Sequence, residues 1–164
     1  MRCAALRWSV LLCLLVVFAT TADEGWTRYS APDYGFSMLV PAGAVIEERE
    51  WPGGWGGLYS KYEGIELIAV ALLDDEATAE EIEKFGVEVT RIGEDYWTQI
   101  DKGEDSAGWK WYRTVKARTG GRVAFGGYGV GRKGSYLLLL ITTQEDFDTY
   151  RSDYEHWYES VRLD

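Results

Sequence analysis

The sequence predicts an α+β fold, an antiparallel β-sheet with helices packed on it as an α/β/α sandwich, in a single domain spanning residues 23–164. Three observations predict it. Residues 65–73 and 136–141 are strand-length runs that are apolar at both parities, the mark of strands covered on both faces. Residues near 79–90 and 147–161 carry apolar residues at helical spacing, so each needs a core to cover its stripe. Glycine-containing turns separate the remaining strand-like segments at the short intervals of antiparallel hairpins.

Taken in order, residues 1–22 read as a secretory signal peptide. Arg2 and Arg7 form a basic start, residues 10–19 are uniformly apolar, and Thr20-Thr21-Ala22 is a small-residue exit before Asp23. The run is shorter than the roughly 20 apolar residues a spanning helix needs, so no membrane span is expected after cleavage. Cys3 and Cys13 both lie within the leader, and Cys13 sits mid-run, where it does not fit a lipidation site. The working domain is therefore expected to be free of thiols and held by its core alone.

Strands are predicted at 26–30 and 36–40, joined by Ala31-Pro32-Asp33-Tyr34-Gly35, where proline presets φ and glycine supplies a positive one. Residues 45–50 form a short, polar, edge-like strand. Residues 51–57, with four glycines and a proline, read as a loop, and 58–62 and 65–73 as a hairpin about Glu63-Gly64. Thr78 and Glu81 fit a capping box that starts a helix at 79, with an end near 90 that Gly86 weakens. Strands at 96–101, 109–118, 122–132 and 135–142 then follow as an antiparallel meander. A final helix is predicted from the stripe Phe147, Tyr150, Tyr154, Trp157, Tyr158 and Val161.

Charge and composition narrow the function. The whole chain carries a net charge of −10, and loss of Arg2 and Arg7 makes the mature domain two units more negative, which disfavours nucleic acid and anionic membrane surfaces as partners. A domain of this size buries about 68 % of its unfolded surface, enough for a stable core. Without cysteine or a second histidine beside His156, thiol catalysis, His/Cys zinc sites and haem held by two histidines are excluded, and no cofactor is implied. The chain has no asparagine and hence no N-linked glycan.

Several constellations invite a site, and each has a plainer explanation. Gly127, Gly129, Gly131 and Gly134 suggest a phosphate loop, but Ser135 follows Gly134 directly where the motif requires lysine, and the segment lies between strands rather than before a helix. Gly127, Gly129 and Gly131 share one strand face, which either receives aromatic side chains from a helix or forms a ligand groove. Asp101, Glu104 and Asp105, expected in a hairpin loop, and Asp74-Asp75-Glu76 before a helix could offer oxygens to calcium, but neither run matches an EF-hand and acids at a helix start suit its dipole. His156 lies beside the last helical stripe, next to Glu155, where a solvated side chain is expected. Trp51 and Trp55 stand in a glycine-rich stretch and offer flat rings to a partner or sugar unless they fold down onto the core.

The segment Tyr34-Gly35-Phe36-Ser37-Met38-Leu39-Val40-Pro41, the strand Gly108-Trp109-Lys110-Trp111-Tyr112, and Gly134-Ser135-Tyr136-Leu137 followed by an aromatic helix ending at Ser160-Val161 resemble the PsbP-like and DcrB-like exported proteins. The resemblance implies a PsbP-like sandwich and a non-catalytic accessory role, and it carries no active-site signature. The expected function is thus an extracytoplasmic, periplasmic or secreted binding protein for a protein or envelope component. The alternatives are a carbohydrate or small-ligand module built on Trp51 and Trp55 or on the glycine face, and a hydrolase using an Asp/Glu pair.

Overall fold

The computed structural model describes residues 25–164, so the signal-peptide reading of residues 1–22 lies outside the described residues. The chain enters as a hairpin of β1 (Trp26–Ala31) and β2 (Phe36–Pro41), closed where the Ala31 carbonyl accepts from the backbone N–H of Tyr34 and Gly35. It then forms β3 (Glu47–Trp51), β4 (Trp55–Tyr62) and β5 (Ile65–Leu73) as consecutive antiparallel hairpins. Helix α1 (Ala79–Thr90) carries the chain to the far edge of the sheet. From there β6 (Trp97–Ser106), β7 (Trp109–Thr119), β8 (Arg122–Gly131) and β9 (Gly134–Thr143) meander back until β9 pairs with β5. Helices α2 (Gln144–Thr149) and α3 (Arg151–Glu159) follow, and β10 (Arg162–Leu163) adds to β2.

The result is a seven-stranded antiparallel sheet in the order β3-β4-β5-β9-β8-β7-β6, with a small β1-β2-β10 sheet beside it. Strands β5 and β9 lie at its heart, and their alternation divides the core in two. Leu67, Ala69, Leu138 and Leu140 join Phe36, Met38, Phe147, Tyr154 and Trp157 on one face. Ile68, Val70, Leu137 and Leu139 join Ile82 and Phe85 of α1 on the other. At about 25 cal/mol per Å² of apolar surface removed from water, each fully buried leucine of β9 contributes about 1.5–3 kcal/mol before entropy is counted.

The predicted sandwich is matched at the coarser level of a mostly antiparallel sheet bearing three helices. The layer opposite α1 is not purely helical. The three-stranded sheet shares it with α2 and α3, because Phe36, Met38 and Val40 of β2 supply apolar cover there that two short helices leave open.

Helix α1 has the predicted bounds. Thr78 Oγ1 accepts from the Glu81 backbone N–H at 3.2 Å while Glu81 Oε2 accepts from the Thr78 N–H at 2.7 Å, closing the capping box. Gly86 does not end the helix. It gives room to the Trp97 ring, whose Cη2 would lie 2.7 Å from a Cβ there, and whose Nε1 donates to the Ile92 carbonyl at 2.9 Å. Arg91, in the left-handed region at φ 58°, ends the helix instead.

Three local predictions need correction. Residues 51–57 are not a loop: Trp51 pairs with Trp55 across Pro52-Gly53-Gly54, and Gly56 and Gly57 are strand residues of β4. A Cβ on Gly57 would sit 2.2 Å from the Ala69 carbonyl oxygen, so the missing side chain lets β4 approach β5. Asp101, Glu104 and Asp105 lie in β6 rather than in a hairpin loop, because β7 offers a ladder out to Trp109 that satisfies their backbone groups. The final helix is two helices. Thr143 caps α2 through the Asp146 N–H at 3.1 Å, and Tyr150 breaks the helix at φ −111°, ψ 27°. Tyr150 is consequently 50 % exposed instead of joining the stripe.

Candidate functional site

A groove of about 1150 Å³ lies between the β6–β7 wing and helix α3. Strand alternation explains its wall. On β7, Trp111, Val115 and Ala117 face α1, which leaves Tyr112, Thr114, Lys116 and Arg118 on the groove side. On β6 the register slips between Gln99 and Asp101, so Ile100 is an extra residue and Thr98, Ile100 and Asp101 all reach the groove. The opposing wall is α3, whose Arg151, Glu155, Tyr158 and Glu159 recur at helical spacing while Tyr154 and Trp157 go into the core.

The two ends of the groove differ chemically. At the α2–α3 junction, Lys116 Nζ stands 4.5 Å from the centroid of the Phe147 ring and Arg151 Cζ stands 5.8 Å from the same ring. Thr98 is opposite Lys116 in the β6–β7 register, and Arg118 lies two residues further along β7. Burial lowers the pKa of the Lys116 ammonium, and the neighbouring Arg118 and Arg151 lower it further. Asp148 pairs with Arg151 at 3.6 Å, and its carboxyl is held below the ordinary range by the hydrogen bond from Gln144 and then by the surrounding cations. At the other end Arg162 donates to the carbonyls of Glu159 and Val161, at 2.5 and 2.7 Å, and Trp109 closes the floor.

Tyr158 forms the middle of the floor. Its hydroxyl accepts a long hydrogen bond from Thr114 Oγ1 at 3.4 Å, and burial pushes its pKa up to about 12. It can lie this close to the sheet because residue 127 is glycine: a Cβ there would fall 1.9 Å from the Tyr158 hydroxyl. Gly127 thus receives a helix aromatic. A Cβ on Gly129 would lie 2.1 Å from the Trp111 carbonyl oxygen and 2.8 Å from the Tyr112 Cα, and one on Gly131 would meet Leu163 and Tyr136. None of the three is among the residues that line this groove.

The tryptophans are also accounted for by packing. Trp55 is 6 % exposed and stacks on Phe85 of α1, with ring centroids 4.5 Å apart and planes 3° from parallel, and half-buried Trp51 packs against the same cluster. At that exposure Trp55 offers no open ring face of the kind a sugar stacks on. Asp75 accepts at its carbonyl from Ser135 Oγ at 2.9 Å, and Glu76 pairs with Lys110. His156 sits exposed on α3. Among the described residues no group of three or more His, Cys, Asp or Glu side chains is placed to hold a metal ion.

A smaller cavity of about 450 Å³ lies on the α1 side. Near it the buried Tyr128 hydroxyl donates to Glu83 Oε2 at 2.6 Å and accepts from Arg113 at 3.4 Å; burial first, then the Glu83 hydrogen bond, pushes its pKa up to about 12. This neutral phenol ties β8 to α1. Of the groove's polar residues sequence reasoning singled out only Asp101, although one further signal was present: in an acidic chain, β7 alternates Tyr112, Thr114, Lys116 and Arg118 on a single face. The approach of Arg151 from a separate helix had no signal at all.

No protein-family model matches the chain, and no curated protein sequence does. Among solved structures it is similar to the solution structure of cyanobacterial PsbP (CyanoP) from Synechocystis sp. PCC 6803, with a TM-score of 0.59 over 92 % of this chain and 99 % of that one. The fold is PsbP-like. At 14 % identity the likeness extends to the backbone architecture alone, so the groove has to be read from its own side chains. No helix among the described residues is long and apolar enough to cross a membrane.

Proposed function

We propose that this protein is an exported, non-catalytic binding protein of the cell envelope that holds its partner component in the groove between the β6–β7 wing and α3. The single observation that carries this reading is the groove itself. Its lining combines aromatic and aliphatic side chains with polar ones, three cations gather at the α2–α3 end, and Tyr96 and Ile100 on its rim are 56 % and 54 % exposed. Concave sites with an apolar body and a few convergent polar groups are where small molecules and chain segments bind. The amino-terminal charge and hydropathy pattern supports export.

The test compares the purified protein with a groove-filled variant, Thr98→Trp, whose exposed edge position tolerates a bulky side chain. Immobilised wild-type protein is expected to retain an envelope component that the variant does not. Equal retention by both would remove the groove from the function. Amino-terminal sequencing of the native protein tests export separately, with a start near Asp23 expected.

A further inference from the structure

Resting on that reading of the groove, we infer that its occupant is a free, monomeric amphiphile bearing one oxyanion headgroup, seated with the head among Lys116, Arg118 and Arg151 and the apolar body along Ile100 and Tyr112.

The charge pattern points there. Across a chain of net charge −10, three cations from two separate elements gather at one end of the groove. Lys116 and Arg151 share the Phe147 ring, which orients both toward the same space. Two carboxylates face them, Asp148 paired to Arg151 and Glu155 one turn further along α3. At this end one cation is left over, and Asp101, Glu159 and Arg162 line the rest of the groove. The depressed Lys116 pKa agrees with this, since like charges and burial already work against its protonated form. An oxyanion would relieve that repulsion while accepting charge-assisted hydrogen bonds from the two guanidinium groups.

The apolar half of the groove selects the rest of the molecule. Ile100 stands exposed beside the cations because the β6 bulge turns it out of the ladder, and Tyr112 lies over Gly103 further along. A volume of about 1150 Å³ accommodates a headgroup and a medium-length chain or ring system.

Two other occupants fit less well. A peptide adding as a strand to the β6 edge meets the bulge at Ile100 and the acids Asp101, Glu104 and Asp105. An acidic protein or an anionic bilayer presents a broad negative surface that the rest of this chain repels, whereas a small amphiphile brings one charge to one place.

The experiment titrates the purified full chain with decanoate below its micelle concentration, reading tryptophan fluorescence and calorimetric heat. Decanol supplies the tail without the charge, acetate the head without the tail, and vesicles with phosphatidylglycerol the same kind of head on a membrane. Decanoate is expected to bind about tenfold or more tightly than decanol. The double variant Arg118→Gln/Arg151→Gln, both positions exposed, is expected to reduce decanoate to the level of decanol, and Arg118→Lys/Arg151→Lys to retain most of the preference. Equal binding of decanoate and decanol, both abolished by Thr98→Trp, would overturn the headgroup assignment and leave the groove standing. Binding that survives Thr98→Trp, or no binding of any tailed probe, would overturn the proposal together with the small-ligand use of the groove. Vesicle binding stronger than decanoate binding would overturn the free amphiphile in favour of a membrane.

Discussion

The two faces of the sheet are covered by similar amounts of helix and end differently. On the α1 face the cover is closely packed and leaves a smaller cavity of about 450 Å³: Trp55 stacks on Phe85, Trp97 fills the space over Gly86, and Tyr128 is hydrogen-bonded to Glu83. On the other face α2, α3 and the small sheet cover β5, β9 and β8 but stop at Tyr158, so β7 and β6 extend beyond the cover as an open wall. Large aromatics therefore serve stability on one face and shape a groove on the other. A Trp or Tyr in this chain has no fixed role until the neighbouring layer is known.

The contrast can be broken with substitutions of decreasing cost. Trp55→Ala is expected to remove about 3–5 kcal/mol of stability, measured by urea unfolding, while leaving ligand binding in the groove intact once the protein is folded. Gly127→Ala lies on the other side of the comparison. It forces Tyr158 off the sheet, and a cost of about 1–3 kcal/mol is expected. Displacement toward water should also move the Tyr158 titration down from about 12, read by tyrosinate absorbance at alkaline pH.

Titration extends the same test across both faces. Tyr128, Tyr136 and Tyr158 all have folded-state values of about 12, above the ordinary 10.0, with burial the largest cause in each case. A raised folded value means that the neutral form is favoured in the native state. The stability this reflects is complete below pH 10 and is lost as pH rises through 12. Thermal unfolding by circular dichroism should show a midpoint that falls steeply in that window, with tyrosine ionisation following unfolding.

Thr78→Ala should cost about 1 kcal/mol by removing the cap of α1, measured in the same urea experiment. The Thr78 N–H and hydroxyl hold the Glu81 carboxyl below its ordinary value. Its contribution is present above the unfolded value of 4.5 and lost as pH falls through the lower folded one, so acid should narrow the gap between wild type and variant. The smallest stability effect belongs to the groove rim: Ile100→Ala, at a residue 54 % exposed, should change stability by less than about 0.5 kcal/mol yet weaken binding of an apolar ligand.

Legibility followed the range of the interactions. The turn at Pro32–Gly35, the capping box at Thr78 and Glu81, and the doubly buried β5 and β9 depend on neighbours within a few residues or on their own apolar content, and all were readable. The glycine-rich stretch at 51–57 misled because strand pairing with β5 outweighed its local preference for a loop. The break at Tyr150 misled because residues on both sides of it continue an apolar stripe, and periodicity does not register a kink of one residue. The groove residues were unreadable for a different reason. Lys116 and Arg151 lie 35 positions apart and meet only across Phe147.

By itself the sequence determined the pieces: an acidic chain, a sheet with two strands apolar on both sides and amphipathic helices to cover it. These follow from periodicity and composition, which act locally and survive any arrangement of the parts. Only the tertiary structure decided that Trp55 is interior, that Gly127 is a seat for Tyr158, and that the cations of β7 and α3 face one cavity. Each of those depends on which layer ends where, and the edge of a layer is set by long-range packing between elements distant in the chain.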